Sequence, residues 1–414
     1  MNRLFFVLII VFSLLARIKF SHLPLGGVHY LGLSSLGLLV IFLHPAQVKI
    51  LWDKRRSLLI SLGLFYLWMW VSAWFSDFSS TALKSGLKYS VYPLVFLAFL
   101  VITFESKDGL LNRLVFWLLI LIAGIGILES IFPHSDILNL IRYPDAYPRI
   151  SSIMQGPNQF GVLMSIGAML AVTFYRNGSI TKLELCLSLP LFIWLTAQSA
   201  SRNAWFVFSI GILLLWLMRI VHWRASLLLA SCLAICIIFL PVSYHRLNLT
   251  LLPASATVNS QPTPEIVQPK KLGTEAPSSY KARLVLWQAA IAEFTKKPVT
   301  GIGIGVFAEH VGIRFTGRTG FHVHNIFLQV LVELGIIGCL LFMLFLASSI
   351  KQINLDDASS IITISLLLLS QLVDCFINDY GFTAIALYFL AAAVNSTRER
   401  EKLGTRIFLS SSSR

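Results

Sequence analysis

Apolar runs of roughly 17–20 residues, the length at which a helix crosses a hydrocarbon core about 30 Å thick, recur along nearly the whole chain. They lie near 4–20, 28–44, 57–75, 88–104, 114–133, 157–175, 183–198, 203–219, 225–243, 325–347, 358–376 and 380–396. Backbone polar groups in lipid must be satisfied within their own segment, so each run is constrained to be helical. Composition agrees: of 414 residues 56% are hydrophobic and only 13% charged, and the mean hydropathy of +0.77 lies above what a soluble domain shows. The reading is an all-α polytopic membrane protein with about twelve transmembrane helices. Met1–Arg3 is a short basic start, but no small-residue cleavage pattern follows before Lys19, so the first run is kept as a span.

Loop charge orients such a bundle. Lys49, Lys54, Arg55 and Arg56 crowd one short loop. Lys107 with Arg113, Arg176 with Lys182, and Arg219 with Arg224 fall in loops of the same parity, and Arg398, Arg400, Lys402 and Arg406 follow the last span. By the positive-inside rule both termini are cytoplasmic, and the long segment between spans nine and ten faces outward. The expected organisation is helices 1–9 over residues 1–243, a long outer loop over 244–324, helices 10–12 over 325–396 and a basic tail over 397–414.

The net charge of +14 therefore has two sources. One part is topological and says nothing about substrate. The other lies on the outer side, against the insertion bias: Arg142, Arg149, Arg202, Arg246, Lys270, Lys271, Lys281, Arg283, Arg314 and Arg318. Some of these are expected to bind anions, and no nucleic-acid partner is called for. Cys186, Cys232, Cys236, Cys339 and Cys375 all sit in apolar runs, with no spacing for a metal site or disulfide framework.

Within the long loop, residues 253–280 are rich in Pro, Ser and Thr and read as an irregular linker. Leu284, Trp287, Ile291 and Phe294 then recur at helical spacing, which predicts an amphipathic helix over 281–296 lying on the outer membrane surface. Gly301, Gly303 and Gly305 alternate in PVTGIGIGVF. No strand–turn–helix context makes this a dinucleotide loop, so it reads as a tight backbone passage.

Three constellations could carry chemistry. Arg202, in QSASRNAW, lies between two spans joined by almost no loop: it is either an interface anchor or a fixed fork for a phosphate group. Arg283, opening the amphipathic helix, divides the same way between lipid headgroup and substrate. IRYPDAYPRISSIMQGPNQFG, 141–161, holds Arg142, Arg149 and Asn158, the last either capping the next helix or touching substrate. FHVHNIFLQVLVELGIIG, 321–338, enters an apolar span with His322, His324 and Asn325 and carries Gln329 and Glu333 one turn apart. Polar residues in a span face a bundle interior or a cavity, which favours function over simple packing. Asp374 and Asp379 flank a short outward turn but form no convincing metal site.

His324-Asn325, nine residues, then Gly335 and Gly338 resemble the His-Asn-x9-Gly-x-x-Gly signature of the bacterial O-antigen ligase and polymerase superfamily. SRNAW around Arg202, Arg283-x-x-x-Trp287, Pro298 with Gly301-x-Gly303, and Pro157-Asn158 are similar to the same family in the same order, over about 140–345. The resemblance implies a GT-C-like helical fold with its long loop in the periplasm. It implies transfer of a glycan from an undecaprenyl-diphosphate carrier to lipid A–core or to a growing glycan, inverting and without a metal or other cofactor. It also marks Arg202 and Arg283 as essential arginines. Chemistry from below agrees: a histidine suits deprotonation of an acceptor hydroxyl, and arginines suit a departing diphosphate. His324 is the expected base. Arg142, Arg149, Asn158, Arg318, His322 and Asn325 are secondary substrate contacts. Gly335 and Gly338 are expected to permit close helix packing. A transporter is the competing class, but no paired, interrupted spans are found.

Overall fold

The computed structural model describes residues 2–15, 28–105, 110–133, 135, 148–244, 247, 280–316 and 320–396. Arg142, Arg318, most of the Pro/Ser/Thr-rich linker and the basic tail lie outside the described residues. Within them the chain is helical, with no strand. In order come α1 (Asn2–Leu15), α2 (Val28–Leu43), α3 (Pro45–Trp74), α4 (Ser79–Tyr89), α5 (Val91–Glu105), α6 (Leu110–Ile131) and α7 (Pro157–Arg176). Next are α8 (Lys182–Gln198), α9 (Arg202–Leu217), α10 (Trp223–Phe239), α11 (Tyr280–Lys296), α12 (Ile326–Ile350), α13 (Ala358–Val373) and α14 (Tyr380–Asn395).

Over the described residues every apolar run falls on a helix. Five segments, Pro45–Trp74, Ser79–Phe104, Leu110–Ile131, Pro157–Arg176 and Ile326–Ile350, are long and apolar enough to cross a membrane, and shorter apolar helices accompany them. The basic stretch Lys49–Arg56, expected as a loop, is instead the opening of α3, which starts at Pro45 and kinks at Arg55 (φ −125°, ψ 24°). A proline at a helix's first position costs no hydrogen bond, so it starts a helix wherever a helix can follow. Arg55 donates to Val394 O at the far end of α14 (2.7 Å), so the basic start of α3 lies at the end of the bundle opposite the start of α14.

Helix α7 is the hub, packed against α8, α9 and α13 and buried along almost its whole length. Its sequence explains this: Gly161, Ser165, Gly167, Ala168 and Ala171 keep its surface thin. In a membrane, helices associate through close packing because lipid tails are as apolar as leucine. A Cβ on Gly161 would stand 2.2 Å from Ser199 Oγ, so no larger residue fits. Ser165 Oγ also hydrogen-bonds Ala204 O (2.9 Å) across to α9.

A second apolar cluster, built from α3, α4, α11, the 302–311 passage and α12, supports one end of the bundle. Amphipathic helix α11 was expected to turn Leu284, Trp287, Ile291 and Phe294 toward lipid. Instead it buries Leu286, Ala289 and Ala290 against protein, while Ile291 is exposed. Its partner is α12, and the Trp287 indole donates to Val323 O (2.9 Å). A protein surface at hand overrides a broad apolar stripe.

Candidate active site

The site is organised by a break in α12. At Gly335 the backbone takes φ +67°, ψ −171°, a combination open in practice only to glycine. The break leaves carbonyls without helical partners, which would be costly inside a bundle. The glycine passage supplies the missing donors: Ile302 N reaches Val332 O (3.0 Å) and Gly303 N reaches Glu333 O (2.9 Å), while Ile336 N returns to Pro298 O (2.8 Å). The Trp68 indole covers Leu334 O (2.8 Å) and Ser72 Oγ bonds Thr300 O (2.6 Å), so α3 clamps both strands of this exchange. Gly335 therefore does not serve ordinary close packing, as expected from sequence. It splits the helix, and the short N-terminal piece, residues 326–334, is held by its surroundings.

Gln329 and Glu333 act inward, as the sequence suggested. Gln329 Oε1 accepts from Val323 N (2.8 Å) and Glu333 Oε1 from Phe307 N (3.2 Å), which fixes the loops packed around the N-terminal piece. Asn325 is the N-cap: its Oδ1 accepts from Leu328 N (3.0 Å) and its Nδ2 donates to Leu372 O (2.9 Å). His324 stands outside the helix in the left-handed region, φ +58°, so the loop that carries His322 and His324 is not helical. Strain at a non-glycine residue beside a polar cluster fits a functional position.

His324 meets Asp374. Its Nδ1 lies 2.7 Å from Asp374 Oδ1, with the imidazole partly exposed and the carboxylate buried. Asp374 Oδ2 takes a hydrogen bond from Asn158 Nδ2 (2.8 Å) and lies 3.7 Å from an Arg283 nitrogen. Burial by itself would raise this carboxyl, but His324 and Arg283 outweigh it and hold Asp374 down to about 2. Arg202 and Arg283 are close enough for their charges to act on each other. Both open helices, α9 and α11, whose unpaired N–H groups add to the positive field.

Asn158 does not cap α7, whose N-cap is Gly156. It bridges instead, accepting from the Arg149 guanidinium (2.8 Å) while donating to Asp374. Arg149 also donates to Ser199 O (2.8 Å), so its role is to tie the 148–156 segment to the end of α8. Asn203 Nδ2 donates to Ser370 O (3.0 Å), linking the start of α9 to the end of α13, just before Asp374. Thus Arg283, His324 and Asn158 converge on Asp374, Arg149 joins through Asn158, and Arg202 stands within reach of the Arg283 charge. Asp374 is the residue that sequence reasoning passed over; it was weighed only as a metal ligand, though a carboxylate fifty positions beyond a histidine and outside the same bundle end was available as its partner. His322 is turned away from this group, toward Asn378. Among the described residues no three His, Cys, Asp or Glu side chains gather as a metal site.

Apolar helices, five of them long enough to cross a membrane, define a membrane protein with a cation-lined histidine–carboxylate pair at one end of its bundle. Residues 186–343, from α8 to α12, match the family described as O-antigen ligase. Over that stretch the chain is similar to the O-antigen ligase and polymerase family, in agreement with the motif resemblance. The chain is 24% identical over 392 residues to a candidate polysaccharide ligase of Rickettsia felis, covering 86% of each chain. It is 21% identical over 332 residues to an O-antigen polymerase of Salmonella muenchen, covering 75% of this chain and 79% of that one. The exopolysaccharide production protein ExoQ of Rhizobium meliloti is 28% identical over 142 residues, 30% of this chain and 33% of that one. The family match contains Arg202, Arg283 and His324, whereas Arg149, Asn158 and Asp374 fall outside it.

Proposed function

We propose that the chain transfers a glycan from an undecaprenyl-diphosphate-linked donor to an acceptor hydroxyl at the periplasmic face of a bacterial inner membrane, as a ligase acting on lipid A–core. The observation that carries this is the His324–Asp374 pair at 2.7 Å with Arg283 on the other carboxylate oxygen and Arg202 beside it. With Nδ1–H donated to Asp374, the imidazole keeps its lone pair on Nε2, the nitrogen available to take a proton. The acceptor oxygen attacks the anomeric carbon as its proton passes to Nε2. The new glycosidic bond forms while the bond to the diphosphate oxygen breaks, and the electron pair leaves with undecaprenyl diphosphate. Attack opposite the leaving group inverts the centre. Arg202 and Arg283 supply fixed bidentate donors to the growing diphosphate charge, without a metal or other cofactor. Asp374 is a positioning residue, since it acts through His324. The same reading takes twelve crossings, cytoplasmic termini and an external loop over 244–324, on the parity of basic loops.

Replacing His324 with Ala tests the assignment. Transfer from the carrier-linked donor should fall about 10²–10⁴-fold, while donor binding, which rests on the arginines, persists. Near-normal transfer would return the His-Asn pair to the role of a helix start.

Polymerisation is the second reading, favoured by the relative named O-antigen polymerase. Deletion separates the two. A ligase leaves lipid A–core uncapped with full-length polymer on the carrier, and a polymerase leaves lipid A–core bearing one repeat unit.

A further inference from the structure

Beside the His324 pair, and unused by the mechanism, lies a second polar group centred on Asn378. Lys88, near the end of α4, brings its ammonium within 3.4 Å of Asn378 Oδ1 and 5.6 Å from the ring centroids of both Tyr89 and Tyr380. The Tyr89 hydroxyl donates to that same oxygen. Among the described residues no ion pair joins Lys88 to a carboxylate, and Glu309 acts on it only through its field. On the other side of the amide, Asn378 Nδ2 donates to His322 Nε2. His322 is partly buried, and its neighbours His324 and Lys88 are basic, so its imidazole stays neutral, with desolvation foremost in holding it down to about 3. A neutral imidazole that accepts on Nε2 carries its proton on Nδ1. That Nδ1 is buried and has no hydrogen-bond partner, an unfavourable state for a polar donor.

A cation without a carboxylate and a donor without an acceptor thus share one amide, two residues along the chain from His324. Both needs are met by one kind of group, an oxygen that carries negative charge. We propose that Lys88 and His322 form a second anion-binding point, separate from Arg202 and Arg283, which holds a phosphoryl or carboxylate group of the glycan substrate beside His324. This rests on the glycan-transfer reading for the identity of the ligand, but not for the existence of the anion site.

The test uses the full chain in lipid nanodiscs, first saturated with undecaprenyl diphosphate and then titrated with inorganic phosphate, followed by phosphorus NMR. The wild type should bind phosphate with the carrier in place. Lys88→Met should weaken that binding at least about tenfold, the worth of one charge-assisted contact, and Lys88→Arg should restore it to within about threefold. Carrier binding should be the same in all three, and matched thermal midpoints establish that each is folded. Phosphate binding by Lys88→Met within twofold of wild type overturns the proposal. So does a parallel loss of carrier binding, which would make Lys88 part of the donor diphosphate site. Steady-state transfer then assigns the source: a raised KM for a phosphorylated acceptor, but not for the same acceptor after phosphatase, gives the anion to the acceptor, and a raised donor KM gives it to the donor sugar. Failure of the wild type to bind undecaprenyl diphosphate would count against the proposed function and leave the phosphate titration able to decide this site.

Discussion

Asp374→Asn separates the carboxylate's charge from its shape. In the native site Asp374 holds His324 Nδ1 at 2.7 Å, Asn158 at 2.8 Å and Arg283 at 3.7 Å. Its carboxyl is held down to about 2, because His324 and Arg283 outweigh the effect of burial, so the charged form is preferred. Counting bonds gives the magnitude: an amide keeps one acceptor but loses the charge assistance, about 1–2 kcal/mol. The sign follows from the direction of the shift. The stabilisation is fully present above about 4 and is lost as pH falls through about 2, so near neutrality the variant should melt lower than wild type and the gap should close in acid. Catalysis should suffer more than stability. An amide can present its NH2 to His324 and favour the tautomer with Nε2 protonated, which cannot act as base; loss of about 10²–10⁴-fold in kcat is expected. Donor binding should hold or tighten, since Arg283 loses a competing carboxylate. The assay pairs radiolabelled transfer with carrier binding and thermal unfolding on one preparation. Transfer within threefold of wild type, or a loss confined to donor KM, would refute the role of Asp374 as the orienting partner.

Gly335→Ala places a Cβ 2.2 Å from Val299 O in a backbone region closed to alanine, so a loss of at least about 3 kcal/mol is expected in unfolding measurements. Gly63→Ala, in α3 with open space around it, should be neutral or slightly stabilising. Arg202→Lys keeps the charge but not the fork, and should impair turnover by at least about tenfold with the fold intact; a fully active lysine variant would leave Arg202 as an interface anchor.

Local pattern was enough for much of this molecule. Apolar runs of membrane-spanning length force helices wherever they occur, because no other backbone satisfies its hydrogen bonds there, and over the described residues every such run is helical. The polar start of α12, with His324, Asn325, Gln329 and Glu333, was also legible, since polar groups are too costly in an apolar span to be idle. What depended on tertiary structure was the choice of partners. Asp374 meets His324 across fifty positions, Asn158 meets Asp374 across 216, and Ser72 meets Thr300 across 228. No periodicity in sequence encodes such pairings. The same holds for Gly335: a glycine in an apolar helix can serve packing or a break, and the break became affordable only because Ile302, Gly303 and Trp68 arrive from elsewhere to bind the carbonyls it frees. Helix type follows from the cost of backbone groups in lipid, which is local. The site follows from which distant groups satisfy each other once the helices have packed, which is not.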